Sequence, residues 1–168
     1  MDIRRPKYPV ELFTHSRHFI GTFEPLGALL DDINDPNRGD FYLTQATFTP
    51  LDPASPFKPV SMPEVVVRKH DVIFLFFKDK SAHTTFRLLT RTEQVIVYTT
   101  LFAAKGEFHL GAEQRVRDMF DTMRGDYQAM TDVTIFPLIP TRVAMPREVD
   151  LILINTKNIL FYHPVVQG

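Results

Sequence analysis

The residues that could do chemistry in this chain are few, and their spacing builds little with them. There is no cysteine, which removes thiol nucleophiles, thiolate metal sites and disulfides. None of the four serines, Ser16, Ser55, Ser61 and Ser81, sits in a Gly-x-Ser-x-Gly elbow. Neither a Walker A loop nor a dinucleotide glycine fingerprint occurs. Six histidines are present: His15, His18, His70, His83, His109 and His163. His15 and His18 lie three apart, as a metal-sharing pair can, but no HExxH or Cys/His pattern accompanies them. They read as residues flanking a turn. Asp31, Asp32, Asn34, Asp35, Asn37 and Asp40 supply oxygen donors of the kind Ca²⁺ takes, yet no starting point yields the EF-hand order of ligands, glycine and closing glutamate. They read as solvated polar residues around a helix end. The expectation is a non-catalytic protein with no cofactor and no metal.

A third kind of chemistry is phosphate binding. Arg68, Lys69 and His70 fall on a predicted hairpin turn, and Lys78, Lys80, Arg87 and Arg91 follow in the connecting segment. Exposed bases with Phe86 beside them could hold a single strand of RNA by charge and stacking. The competing reading is a solvated turn and linker. Bulk charge does not favour nucleic acid: the chain carries a net −1, with 10 basic against 11 acidic residues in 1–85 and 9 against 9 in 86–168.

These residues need a scaffold. At 168 residues, 44% hydrophobic and 23% charged, with fifteen Phe and no Trp, the composition is that of a globular protein of one or two domains. The opening Met1-Asp2-Ile3-Arg4-Arg5-Pro6-Lys7 lacks the apolar run of a signal peptide. The longest apolar run, Val72 to Phe77, is far too short to span a bilayer as a helix. A soluble, cytoplasmic protein without membrane contact is expected.

The elements recur in one order. Val10 to Thr14 and Phe19 to Glu24 read as strands, the second interrupted by Gly21, which marks a bulge, a bend or a close backbone approach. Ala28 to Asn34 reads as a short helix and Phe41 to Leu51 as a third strand. Asp52 to Pro63, with four prolines, reads as a loop. Glu64 to Arg68 and Asp71 to Phe77 complete the set; the latter is apolar on both faces, so both should be covered. The series then repeats. Val95 to Thr99 matches Val10 to Thr14, and Gly106 matches Gly21. A helix over Glu113 to Met123 carries Val116, Met119, Phe120 and Met123 on one face. Thr131 to Leu138, Leu151 to Ile154 and Ile159 to Tyr162 follow as strands.

The repeat is sharpest from Asp32 to Phe41 and from Asp118 to Tyr127, where acid, apolar, acid, Arg-Gly-Asp and an aromatic recur 86 residues apart. Arg38-Gly39-Asp40 and Arg124-Gly125-Asp126 read more simply as helix stops than as adhesion motifs. Glycine suits the left-handed position past a helix, and arginine suits the negative end of its dipole. The fold class expected is mainly β with short helices: two tandem five-stranded small barrels, 1–82 and 83–168, each with one helix inserted between strands two and three. A single shared sheet is the less favoured arrangement, because each unit already holds a full set of strands.

This pattern resembles Sm-like (LSm) domains. Val10-Glu11-Leu12, Gly21-Thr22-Phe23 and Leu43-Thr44-Gln45-Ala46 look like that family's first motif, as do Val95-Ile96-Val97, Gly106-Glu107-Phe108 and Met130-Thr131-Asp132-Val133. Val65-Val66-Val67-Arg68 with Val72-Ile73-Phe74-Leu75 resembles its second motif, and Leu153-Ile154-Asn155 with Ile159 to Tyr162 does so more loosely. Arg68 keeps the motif's arginine, while Lys69 stands where the family has glycine. The resemblance implies edge strands that pair between neighbours, hence a homo-oligomer, with a three-chain ring of six barrels as one form. It also implies RNA as an alternative partner, with another protein as a third. Arg4-Arg5 and Pro9-Val10 are similar to the opening of PilZ barrels, but the Asp-x-Ser-x-x-Gly element of that family is absent. The reading is an assembly or protein-interaction module, with RNA binding through Arg68, Lys69 and His70 as its alternative.

Overall fold

In a computed structural model that describes residues 4–166, the chain is mainly β with three short helices. The first half runs β1 (Tyr8–Thr14), β2 (Arg17–Phe23), α1 (Leu29–Ile33), β3 (Asp40–Pro50), β4 (Val60–Arg68) and β5 (Val72–Phe77). After α2 (Lys80–His83) the second half runs β6 (Arg91–Tyr98), β7 (Phe102–Leu110), α3 (Val116–Thr122), β8 (Tyr127–Pro137), β9 (Glu148–Asn155) and β10 (Phe161–Pro164). A 3₁₀ turn, Lys69–Asp71 or Thr156–Asn158, stands between the last two strands of each half. Helices α1 and α3 lie between the second and third strands of their halves, as expected. β4 begins earlier than expected and contains Pro63, which an edge strand tolerates because one side of it needs no ladder.

The expectation of two separate five-stranded units is replaced by one continuous open antiparallel sheet. Its order is β10-β6-β7-β8-β9-β5-β1-β2-β3-β4. Each half contributes the same internal order, and the halves are joined where Phe74 and Leu75 of β5 pair with Ile154 and Leu153 of β9. The join arises because β5 is buried along its whole length and pairs with β1 on one side and β9 on the other. Its two-sided apolar character is satisfied by strands of both halves.

Local detail recurs between the halves. Thr14 Oγ1 accepts from the backbone N–H of Ser16 and Arg17, and Thr99 Oγ1 accepts from those of Leu101 and Phe102. Val10 faces Gly21 across one hairpin, and Val95 faces Gly106 across the other. The register slips at each of these glycines. Opposite them stand Gln45 (φ 48°) and Asp132 (φ 51°), each in the left-handed region. A Cβ on Gly106 would sit 2.9 Å from the Thr131 carbonyl oxygen; on Gly21 the nearest atom, Leu43 Cβ, is 3.2 Å away. The interrupted strands are therefore bulges made by close backbone approach.

Those bulges also show that the repeat at 86 residues is one residue out of step in space. Thr44 pairs with Glu64 just before the first bulge, and Thr131 pairs with Leu151 just before the second. With these pairs superimposed, Tyr127 corresponds to Asp40, not Phe41. A one-residue slip reverses which face a strand residue presents. Phe41 and Tyr127 accordingly sit in one cluster from opposite sides, edge to face at 5.6 Å. The helix-stop reading changes with it. The C-cap of α1 is Asn34 and that of α3 is Met123. Gly125 takes a left-handed φ of 83° two residues beyond that end, and Gly39 does not.

Candidate functional site

The two hydrophobic cores do not respect the boundary between halves. One gathers first-half residues such as Leu12, Phe41, Leu43 and Val67, together with Tyr127, Ala129, Leu151 and Leu153 from β8 and β9. The other gathers second-half residues such as Val97, Phe108, Met130 and Ile152, together with Phe13, Ile73, Phe74 and Phe76. Each half thus lends side chains of two adjacent strands, β1 and β5 or β8 and β9, to the core of the other. Phe13 and Phe74 stack at 4.7 Å with rings 4° from parallel, and Phe102 of β7 meets Phe74 edge-on at 4.8 Å.

A polar clasp holds the rim of this junction. The Asn34 side chain accepts from the Tyr127 backbone N–H at 2.8 Å and donates to the Tyr127 carbonyl at 3.0 Å. The Tyr127 hydroxyl donates to the Lys69 carbonyl at 2.5 Å, and buried Asn155 donates to the Val72 carbonyl at 3.0 Å. Burial, with Asp126 nearby, pushes the Tyr127 phenol far above its ordinary range, so it serves as a donor at any physiological pH. At the opposite rim His15 bonds to Thr100 at 2.9 Å, and Arg142 reaches the carbonyls of Ser55 and Phe57.

The residues singled out for RNA part company on this scaffold. Arg68 is exposed and pairs with Asp40 at 3.1 Å. His70 is exposed beside Asp71. Lys69 turns inward: its ammonium donates to the Asp32 carbonyl at 2.8 Å and lies 5.3 Å over the Phe41 ring. Burial lowers the Lys69 pKa against the opposing pull of Asp32. Among the basic residues of the connector, Lys78 pairs with Glu11 and Lys80 with Asp150. Phe86 is not available for stacking; it is buried against Phe77.

The other candidates are likewise occupied. His18 packs at a tilt against Phe13 and bonds to Glu11 at 2.9 Å, while His15 points away to the other half, so the two share no metal geometry. Asp32 accepts from the Leu26 N–H and pairs with Arg38, and Asp35 accepts from the Asn37 N–H. No cluster of three or more potential metal ligands occurs among the described residues. Among them, too, no helix is long and apolar enough to cross a membrane.

Exposed apolar side chains occur in loops, as at Leu26, Phe57 and Leu138, and at both ends of the sheet. β4 leaves Val60, Met62 and Val66 exposed, with Tyr42 beside them on β3. β10 leaves Phe161 exposed, with Leu160 just before it. Next to β10 an open cleft of about 540 Å³ is lined by Phe120, Met123, Lys157, Ile159 and Tyr162, among others. Apart from Lys157 these side chains are apolar or phenolic, so nothing in their residue types marks them out in the sequence. Leu151-Ile152-Leu153-Ile154 is apolar on both faces, as Val72 to Phe77 is, which marks both strands for two-sided burial without naming the neighbour of either. No family model, curated protein or solved structure matches the chain.

Proposed function

We propose that this protein is a non-catalytic assembly module that works through its two unpaired strand edges. The observation that carries this reading is one sheet with an open edge at each end, both bearing exposed apolar side chains, Val66 at one and Phe161 at the other. Such edges invite pairing unless they are covered. The candidate chemical groups meanwhile serve the scaffold, as Lys69, His18 and Asp32 do. Each half is read as a strongly curved, Sm-like unit, and the pair as a building block for a homo-oligomer. Light scattering after size exclusion tests this: the mass should rise above the single-chain 19.4 kDa with concentration. A monomer over the whole range overturns it.

Exposed Arg68 and His70 at one corner support RNA binding as a second reading. It requires affinity for pooled single strands at low salt that declines as salt rises.

A further inference from the structure

We infer that the two ends of the sheet are the separated halves of one interface, so that the β4 end of one copy docks on the β10 end of the next. This rests on the assembly reading and names the partner: a second copy of this chain. The inner junction is the template. There β9 lies on β5, Phe74 faces Ile154, and the stacked pair Phe13–Phe74 is covered. β10 stands to β6 as β5 stands to β1: Phe161 faces Tyr98 as Phe74 faces Phe13. The stack recurs as well, Tyr98 on Phe161 at 4.2 Å and 13°, but Phe161 is 57% exposed where Phe74 is fully buried.

The complementary face recurs on β3 and β4. Matched through the bulges, Tyr127, Ala129, Leu151 and Leu153 correspond to Asp40, Tyr42, Glu64 and Val66. The first four lie in the core of the other half; of the last four, Tyr42 and Val66 are 43% and 58% exposed. The cleft beside β10 is the counterpart of the seat that Tyr127 occupies. Ile159 and Tyr162 line it in the places where Val72 and Leu75 pack with Tyr127.

In the inferred contact Tyr42 of the incoming copy packs over this cleft. Asp40, in the place of Tyr127 and paired with its own Arg68, falls at the part of the cleft lined by Asp126 and exposed Lys157. Phe161 faces Val67 as Phe74 faces Ile154. The inner ladder is only two pairs long, so Pro63 lies outside the region that must pair. The contact is heterologous, and it generates a closed ring or a filament.

The test uses two full-length variants, each blocked at one end by a charge at an exposed site: Val66→Lys at the β4 end and Phe161→Asp at the β10 end. Circular dichroism and thermal unfolding establish that both fold, with Tyr42→Asp and Leu160→Asp as substitutes at the same ends. Each variant alone should run at the single-chain mass, and an equimolar mixture should form a two-chain species through its unblocked ends. A dimer from one variant alone means like ends pair, which overturns the head-to-tail inference and leaves the assembly reading standing. Wild-type assembly unchanged by both blocks has the same consequence. A wild-type monomer at every concentration removes both.

Discussion

Two stacked aromatic pairs occupy equivalent places in the halves of this protein and meet opposite fates. Phe13 on Phe74 lies under the core of the second half, and Tyr98 on Phe161 lies at the open end. The side chains around them differ accordingly. Fully apolar Phe13 gives way to Tyr98, whose hydroxyl reaches His163 at 3.2 Å, and buried Phe76 gives way to exposed His163. On the facing side, Leu151 and Tyr127 of the inner junction have Glu64 and Asp40 as their counterparts at the outer end. One backbone arrangement has thus been given a permanently apolar version and a more polar version. The first suits a contact that never opens, and the second suits an edge that must tolerate water.

The largest consequence of that contrast is energetic. Phe74→Ala should cost about 3–5 kcal/mol, since it empties a fully buried site with ring partners on two sides. Phe161→Ala should cost about 0.5–1.5 kcal/mol in dilute solution, where it loses little beyond a stacking contact. Urea unfolding of the two variants measures this, and equal losses would break the comparison.

The bulges sharpen it at an intermediate level. Gly106→Ala drives a methyl into a carbonyl oxygen and should cost about 1–3 kcal/mol. Gly21→Ala meets its nearest atom 0.3 Å further away, at 3.2 Å against 2.9 Å, and should cost less. A reversal of that order would show that the two bulges are not alike.

The smallest effect is a pH dependence confined to the first half. Burial works against ionisation of Glu11, but hydrogen bonds from His18 and Lys78 outweigh it and hold its pKa below the usual glutamate value. The second half has Ile96, Ala103 and Val165 at the matching places. A lowered carboxylate pKa contributes stability that is present above the unfolded value of about 4.3 and lost as pH falls through the folded one. Glu11→Gln should therefore lower Tm at pH 7 and flatten its decline below about pH 4.3. An unchanged acid limb would remove Glu11 from the account.

Much of the local fold was legible in the sequence, for physical reasons that can be named. The bulge glycines stood out because glycine weakens an apolar strand except where the backbone must bend or approach a neighbour closely. Val72 to Phe77 announced its two-sided burial by lacking any polar alternation. α3 was legible from the spacing of Val116, Met119 and Phe120. The single sheet was not, because the choice of β9 as the second neighbour of β5 is a long-range contact that no local pattern encodes. The true register of the repeat was also hidden. The Arg-Gly-Asp match aligns Phe41 with Tyr127, while different helix endings and the paired bulges shift the strands by one residue. For the same reason Lys69 read as a surface base beside Arg68 and His70. Its inward turn depends on Asp32 and Phe41, which arrive from other elements.

The seam between β5 and β9 brings together Phe74 and Ile154, roughly eighty residues apart in the chain. By contrast, β1, β2, β3 and β4 pair in succession as neighbours. Contacts of such long range are slow to form. A growing polypeptide that has just emitted α2 holds every strand of its first half, yet lacks the second-half side chains that pack with Phe13, Phe74 and Phe76. Until β9 is made, that face is open to any other chain nearby. The interval between residues 84 and 155 is thus the period of synthesis in which aggregation competes most directly with folding.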